Sequence, residues 1–213
     1  VTIALSSNLS VVERMHPPRV LHCEFPLGRP LGKPGDPAYQ RDVLDRAFAL
    51  YDANEPVLTI HPDVIEADET PMACALPPRY DPNLPPAVDE ARGLRAAYDR
   101  ALAKHGATSV GRTIPVDQIY EALDVFHQWA EGAPWKETPL PDRNAIGICL
   151  DIRAYYEEAG LELVDGPTPG GRSTESWFYE STEAGKTLMA ARAALKEQEA
   201  PFPLWFYMAP AHR

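Results

Sequence analysis

Proline interrupts this chain in four places, and that distribution limits what it can fold into more than any other feature. Twenty-three prolines among 213 residues cluster at 26–37, 71–86, 134–141 and 201–210. Proline fixes φ and lacks an N–H, so such stretches make poor strand interiors and helix middles. They are expected to be ordered loops or wrapping segments that join short elements. Hydrophobic residues make up 45% of the chain, enough to bury a core. The length suits one medium domain, or one with a smaller appendage.

The densest of these places is "HCEFPLGRPLGKPGD", residues 22–36. His22, Cys23 and Glu24 are potential ligands or nucleophiles, and they stand directly before a loop built on Pro26, Gly28, Pro30, Gly32, Pro34 and Gly35. Upstream, "RVLHCEF" (19–25) reads as a strand. Downstream, Asp36 is a helix N-cap and Pro37 sits at the first helical position, where its missing N–H costs nothing. Val43, Leu44, Ala47, Phe48 and Tyr51 then recur at helical spacing, a face expected to lie on a sheet. "TIAL" (2–5) and "PVLTI" (56–60) are further strands, and "SNLSVVERM" is a short helix capped by Ser7 or Asn8. This alternation belongs to a parallel α/β unit. A strand at the start with no lead-in is expected to need something ahead of it, either more chain or a partner.

Past residue 60 the pattern changes. Residues 61–87 are acidic, then proline-rich. Helices are expected at 86–105, closed by Gly106, at 115–131, at 142–159, ending on Gly160, and at 181–197. "LELV" (161–164) and "PLWFYM" (203–208) read as strands, and "DGPTPGGRSTES" (165–176) as a glycine-rich loop. The expected architecture is α/β. A short parallel sheet with flanking helices occupies 1–65, and a mainly helical extension, 66–213, packs on the same core.

Net charge is −11, which argues against nucleic acid and anionic membrane as partners, since both need a basic footprint. No apolar run approaches the ~18 residues of a membrane span. "VTIALSSN" lacks a charged n-region, so no secretory leader is expected. Cys23, Cys74 and Cys149 show no CxxC spacing, which fits a reducing compartment and a cytoplasmic location.

Residues 1–54 resemble the C-terminal end of the glycine/sarcosine/betaine and D-proline reductase selenoprotein-B family. The order of parts carries the likeness: "VTIAL", then "SSNLSVVERMHPPR", then "RVLHCEF" running into "PLGRPLG" and the helix "PAYQRDVLDRAFALYD". Arg19, the turn Pro26-Leu27-Gly28 or its echo Pro30-Leu31-Gly32, and Arg41 with Val43-Leu44 match the family's positions. The resemblance covers about a quarter of the chain. It implies a scaffold for reductive cleavage of a carbon–heteroatom bond in a small amine- or carboxylate-bearing molecule. The family's selenocysteine or paired-cysteine loop is missing from these residues, so the attacking thiolate or selenolate is expected from a second protein subunit.

Within that frame His22, Cys23 and Glu24 are the candidate catalytic residues. Cys23 at a strand end would face the crevice where open α/β sheets bind ligands, with His22 or Arg29 lowering its pKa. Strand alternation opposes this, because His22 and Glu24 share a face and Cys23 takes the other, which leads to the core. As a cofacial pair, His22 and Glu24 could do acid–base work. With His61 or His16 they could hold zinc or iron, which makes a stand-alone metal-assisted enzyme the alternative function. Gly28, Gly32, Arg29 and Lys33 could offer N–H groups and charge to an anionic substrate, and Arg172 with its flanking glycines is a second anion candidate. A third possibility is a non-catalytic subunit that stabilises a partner. "WFYE" (177–180) and "LWFYM" (204–208) read as core or subunit interface, and Asp117, Glu121 and Asp124 as a solvated acidic face.

Overall fold

The computed structural model describes residues 2–26, 28–66, 70–166 and 168–213. The chain divides into two units, Val1–Asp68 and Glu69–Arg213. Each has its own cluster of buried apolar side chains.

In the first unit, strands β1 (Ala4–Ser6), β2 (Arg19–His22) and β3 (Val57–Ile60) pair in parallel in the order β1-β2-β3. Ser6, His22 and Ile60 lie side by side at the carboxyl edge. Helix α1 (Leu9–Met15) joins β1 to β2, and α2 (Pro37–Ala49) with a 3-10 turn (Leu50–Asp52) leads from β2 to β3. This is the short parallel sheet with flanking helices that the sequence pattern implied. The start of α2 follows its local signals: the Asp36 carboxylate accepts the Tyr39 N–H at 3.0 Å, with Pro37 in the first turn.

The buried face of α2 differs from the expected one. Val43, Ala47 and Leu50 pack with Leu21, Cys23 and Phe25, whereas Phe48 and Tyr51 are 55% and 50% exposed. One residue's rotation, about 100° on a helix, separates the two stripes. Only the Val43 stripe meets the sheet, and the Phe48 and Tyr51 rings stack on each other outside.

The second unit, among its described residues, is all helix and loop. Helix α3 spans Pro86–His105, α4 Ile119–Ala130 behind a 3-10 turn (Val116–Gln118), and α5 Ala145–Leu163. They are followed by α6 (Gly171–Ser181), α7 (Glu183–Glu197) and α8 (Phe202–Phe206). Phe126, Tyr155, Tyr156, Trp177 and Phe178 are fully buried at its centre. At Gly185 the first turn of α7 lies so close to α6 that a Cβ would stand 2.0 Å from the Phe178 carbonyl oxygen. No helix among the described residues is long and apolar enough to cross a membrane.

Four expectations are overturned here. "LELV" is the last turn of α5, not a strand. Gly160 does not stop the helix, because its missing Cβ is used for contact: a Cβ there would lie 2.7 Å from Trp177 and 2.5 Å from Met72. "GGRSTES" is the start of α6, not loop. Its polar side chains are satisfied inside, with the Ser173 hydroxyl bonded to the Thr70 carbonyl and that of Thr174 to the Gly171 carbonyl. "PLWFYM" forms α8 and the turn after it instead of a strand. Proline in the first turn starts that helix, and Phe202 stacks on Phe206 one turn on, with ring centroids 4.4 Å apart.

The loops of this unit are tied down by carboxylates that turn inward. Asp151, 1% exposed, accepts the N–H groups of Gly111, Arg112, Thr113 and Ile114 at 2.8–3.2 Å. Asp89 takes the N–H groups of Tyr80 (2.8 Å) and Asp81 (3.1 Å) from the proline-rich strap. Glu158 accepts from the Ser109 N–H and the Thr108 hydroxyl, both at 2.7 Å. Charge-assisted bonds of this kind are about twice as strong as neutral ones.

Asp151→Asn turns an amide NH2 toward backbone N–H donors. It should destabilise the full chain by about 3 kcal/mol in urea unfolding. Glu121→Gln, on the exposed acidic face, should change stability by less than about 0.5 kcal/mol. Equal effects would mean that the inward carboxylate does not hold the loop.

Candidate functional site

The carboxyl edge of the three-stranded sheet opens into a cleft of about 260 Å³. Leu5, Cys23 and Phe25 form its floor, Ser6 and Ser7 one rim, and Gly28, Arg29 and Pro30 the opposite wall. Open α/β sheets place ligands at this edge because successive loops leave it in divergent directions.

The wall is three turns in series. The Arg29 N–H bonds the Pro26 carbonyl at 3.0 Å, the Gly32 N–H bonds the Arg29 carbonyl at 2.9 Å, and the Asp36 N–H bonds the Lys33 carbonyl at 3.4 Å. Gly28, Gly32 and Gly35 all have positive φ, which L side chains rarely adopt. Gly32 has a second constraint: a Cβ on it would lie 2.5 Å from the Tyr39 ring, 3.0 Å from Ile65 and 3.2 Å from Phe25. Gly28 faces open space. Leu27 of the Pro-Leu-Gly turn lies outside the described residues.

The structure separates the three candidate catalytic residues. Strand pairing ends at His22, and the Phe25 N–H folds back onto the Cys23 carbonyl at 2.8 Å, so the alternation that would have paired His22 with Glu24 stops between them. His22 is buried and Glu24 exposed. A carbonyl only accepts, so His22 carries its proton on Nδ1 and donates to the Ser6 carbonyl at 2.9 Å. The Cys23 backbone N–H donates to the same carbonyl at 2.8 Å. His22 therefore holds the Ser6–Ser7 rim in place.

Cys23 lines the cleft floor yet belongs to the sheet–α2 core, 3% exposed. Burial pushes its thiol up to about 11. Burial also raises Cys74 and Cys149 above the ordinary thiol value. None of the three thiols has a lowered pKa, the property that activates a sulfur nucleophile at neutral pH.

Of the substrate-binding candidates, Gly28 and Arg29 line the cleft. The Arg29 guanidinium forms no hydrogen bond or ion pair with the described residues. Gly32 shapes the loop from inside its packing. Lys33 is turned away, its Nζ 4.4 Å above the Tyr39 ring. Arg172 belongs to the second unit, where it pairs with Glu175 at 3.2 Å.

The histidines do not converge either. His61 is buried against Phe25 and Tyr39, and its Nδ1 accepts the Asp63 N–H at 3.1 Å. His16 is the exposed left-handed cap of α1. Among the described residues no three His, Cys, Asp or Glu side chains come together as a metal site would need. The metal-assisted alternative thus finds no ligand set there.

No family model matches this chain, and no curated protein or solved structure matches it significantly. Its site stands on its own chemistry.

Gly32→Ala combines a strained φ with overpacking and should cost about 3 kcal/mol in urea unfolding, whereas Gly28→Ala should cost only about 1 kcal/mol. Cys23 should alkylate slowly at pH 7.5, where roughly 3 in 10,000 thiols are ionised, and about tenfold faster per pH unit up to about 11. Peptide mapping after timed iodoacetamide exposure reads this out, and fast labelling at neutral pH would contradict it.

Proposed function

We propose that the N-terminal unit holds the substrate in a two-chain, reductase-like enzyme, and that a partner subunit supplies the attacking thiolate or selenolate. The substrate is a small molecule bearing an amine and a carboxylate, or one of the two. Its carboxylate meets the Arg29 guanidinium, whose planar fork suits bidentate binding. Chemistry proceeds by attack of the partner's sulfur or selenium on carbon. As that bond forms, the carbon–heteroatom bond breaks, and the heteroatom leaves with the electron pair and takes up a proton. His22 acts at one remove, by fixing the Ser6 carbonyl at the rim.

The observation that carries this reading is the unpaired Arg29 in the wall of the cleft. A half-buried cation with no protein partner among the described residues is poised for an anionic ligand. Three further points support it. The cleft volume of about 260 Å³ lies below the range of drug-sized pockets and suits a metabolite of a few heavy atoms. The chain's own thiol at the floor is held protonated, so a nucleophile from elsewhere has a role to fill. The resemblance of residues 1–54 to the selenoprotein-B family points to the same chemistry.

The test is reconstitution with the copurifying chain that carries a reactive thiol or selenol. Arg29→Ala should raise KM for the carboxylate-bearing substrate at least 30-fold, a loss of about 2 kcal/mol. Arg29→Lys should restore part of it, and alkylating the partner should abolish turnover. Full activity of this chain as a monomer would remove the proposal. Unchanged activity of the assembled enzyme after alanine replacement of His22, Cys23 and Arg29 together would make the chain a non-catalytic stabilising subunit.

A further inference from the structure

Two pairs of Arg and Asp with the same spacing of four run along α2, and only one of them closes within the helix. Asp42 and Arg46 bond each other at 2.7 Å. There the acid precedes the base, the order that suits a helix. Arg41 and Asp45 stand in the reverse order. Both are exposed, and neither forms a hydrogen bond or ion pair with the described residues. They flank a groove of about 360 Å³ on the Phe48 stripe, about 100° around from the residues that meet the sheet. Leu31, Pro37, Leu44 and Phe48 supply its apolar surface. The exposed Phe48 ring is stacked on Tyr51, with centroids 6.1 Å apart. The groove shares no lining residue with the substrate cleft.

We propose that a second copy of this chain docks on this stripe, α2 against α2 in antiparallel order, about a two-fold axis at the level of Val43. The charges decide the occupant. Run antiparallel, Arg41 of one copy lies level with Asp45 of the other, and the same pair recurs across the axis. A parallel arrangement would set Arg41 against Arg41 and Asp45 against Asp45. An isologous contact must be complementary to itself, and this order of signs is.

The apolar residues fit the same register. Leu44 is one position from the axis, so the Leu44 side chains of the two copies meet near the centre. Phe48 is five positions from it, roughly 7.5 Å along the helix. That brings the ring level with Ala38 of the second copy, at the Leu31 and Pro37 end of that copy's groove. Each copy offers a ring and receives one. A contact about 20 Å long and one helix wide is well below the roughly 800 Å² per partner of a standard interface, so the dimer is weak, with Kd in the tens of micromolar.

Sedimentation velocity of the full chain, over a concentration series reaching about 500 μM, tests this. The wild type should pass from monomer to dimer with a midpoint in the tens of micromolar. Arg41→Asp alone and Asp45→Arg alone each set like charges across both pairs and should weaken self-association at least tenfold, as should Phe48→Ala. Mixing the two charge variants restores opposite signs at both pairs, so the mixture should form a heterodimer within about threefold of wild-type affinity. Circular dichroism checks that each variant is folded; should either charge variant fail, Arg41→Glu with Asp45→Lys serves in their place. A wild type that stays monomeric throughout overturns the proposal and leaves the groove to a different protein. Association that survives the single charge changes, or a mixture no tighter than its parts, puts the dimer contact elsewhere and overturns it as well.

Discussion

Four consecutive backbone N–H groups, those of residues 111–114, run from an exposed turn into the helical core, and at the buried end, Ile114, an N–H without an acceptor would carry a desolvation cost of about 1–3 kcal/mol. Asp151 supplies that acceptor from one side chain on α5. The same device recurs at Asp89, which seats the strap around Tyr80 and Asp81, and at Glu158, which closes the turn after α3. A chain so rich in proline has many segments that cannot satisfy themselves in regular elements. Carboxylates projecting from regular helices complete them instead. The packing of the helical unit depends on these bonds, because Asp151 and Glu158 of α5 together fix the connection from α3 to α4, and Asp89 fixes the strap that leads into α3.

In the sheet unit, rigidity is built into the backbone. Three successive turns with positive-φ glycines carry the chain from β2 to α2, and Gly32 is pressed into the aromatic and aliphatic groups beneath it. Arg29 stands on this frame, between two of the turns. The cleft wall is therefore set before any ligand arrives, so little ordering cost remains when one binds. Across the cleft, the Ser6 carbonyl takes two donors at once, one from an imidazole and one from the main chain.

Local chemistry announced some of this and hid the rest. Asp36 and Pro37 mark the start of α2 by cap and ring geometry alone, and the three strands follow from short β-branched runs between helices. The failures arise where distant contacts decide. Gly160 has the look of a helix stop, yet its role is to admit Trp177 and Met72. Ser173 and Glu175 resemble parts of a solvated loop, yet they bond to Thr70 and His212, which lie far away in sequence. At the site, alternation correctly sent Cys23 to the core but wrongly paired His22 with Glu24, because a turn ends the strand between them. The acids that matter most for packing, Asp89 and Asp151, sit in helices whose sequence gives no sign that they point inward. Charge counts treat them like Glu121, which faces solvent.

The contact at Gly185 has one more consequence. Two main chains meet there with no side chain between them, so the angle between α6 and α7 is set by atoms common to every residue rather than by any replaceable group. Drift of sequence elsewhere in the bundle can reshape the helices' outer surfaces while their elbow keeps its bend. That corner is the natural fiducial point for aligning remote relatives of this fold.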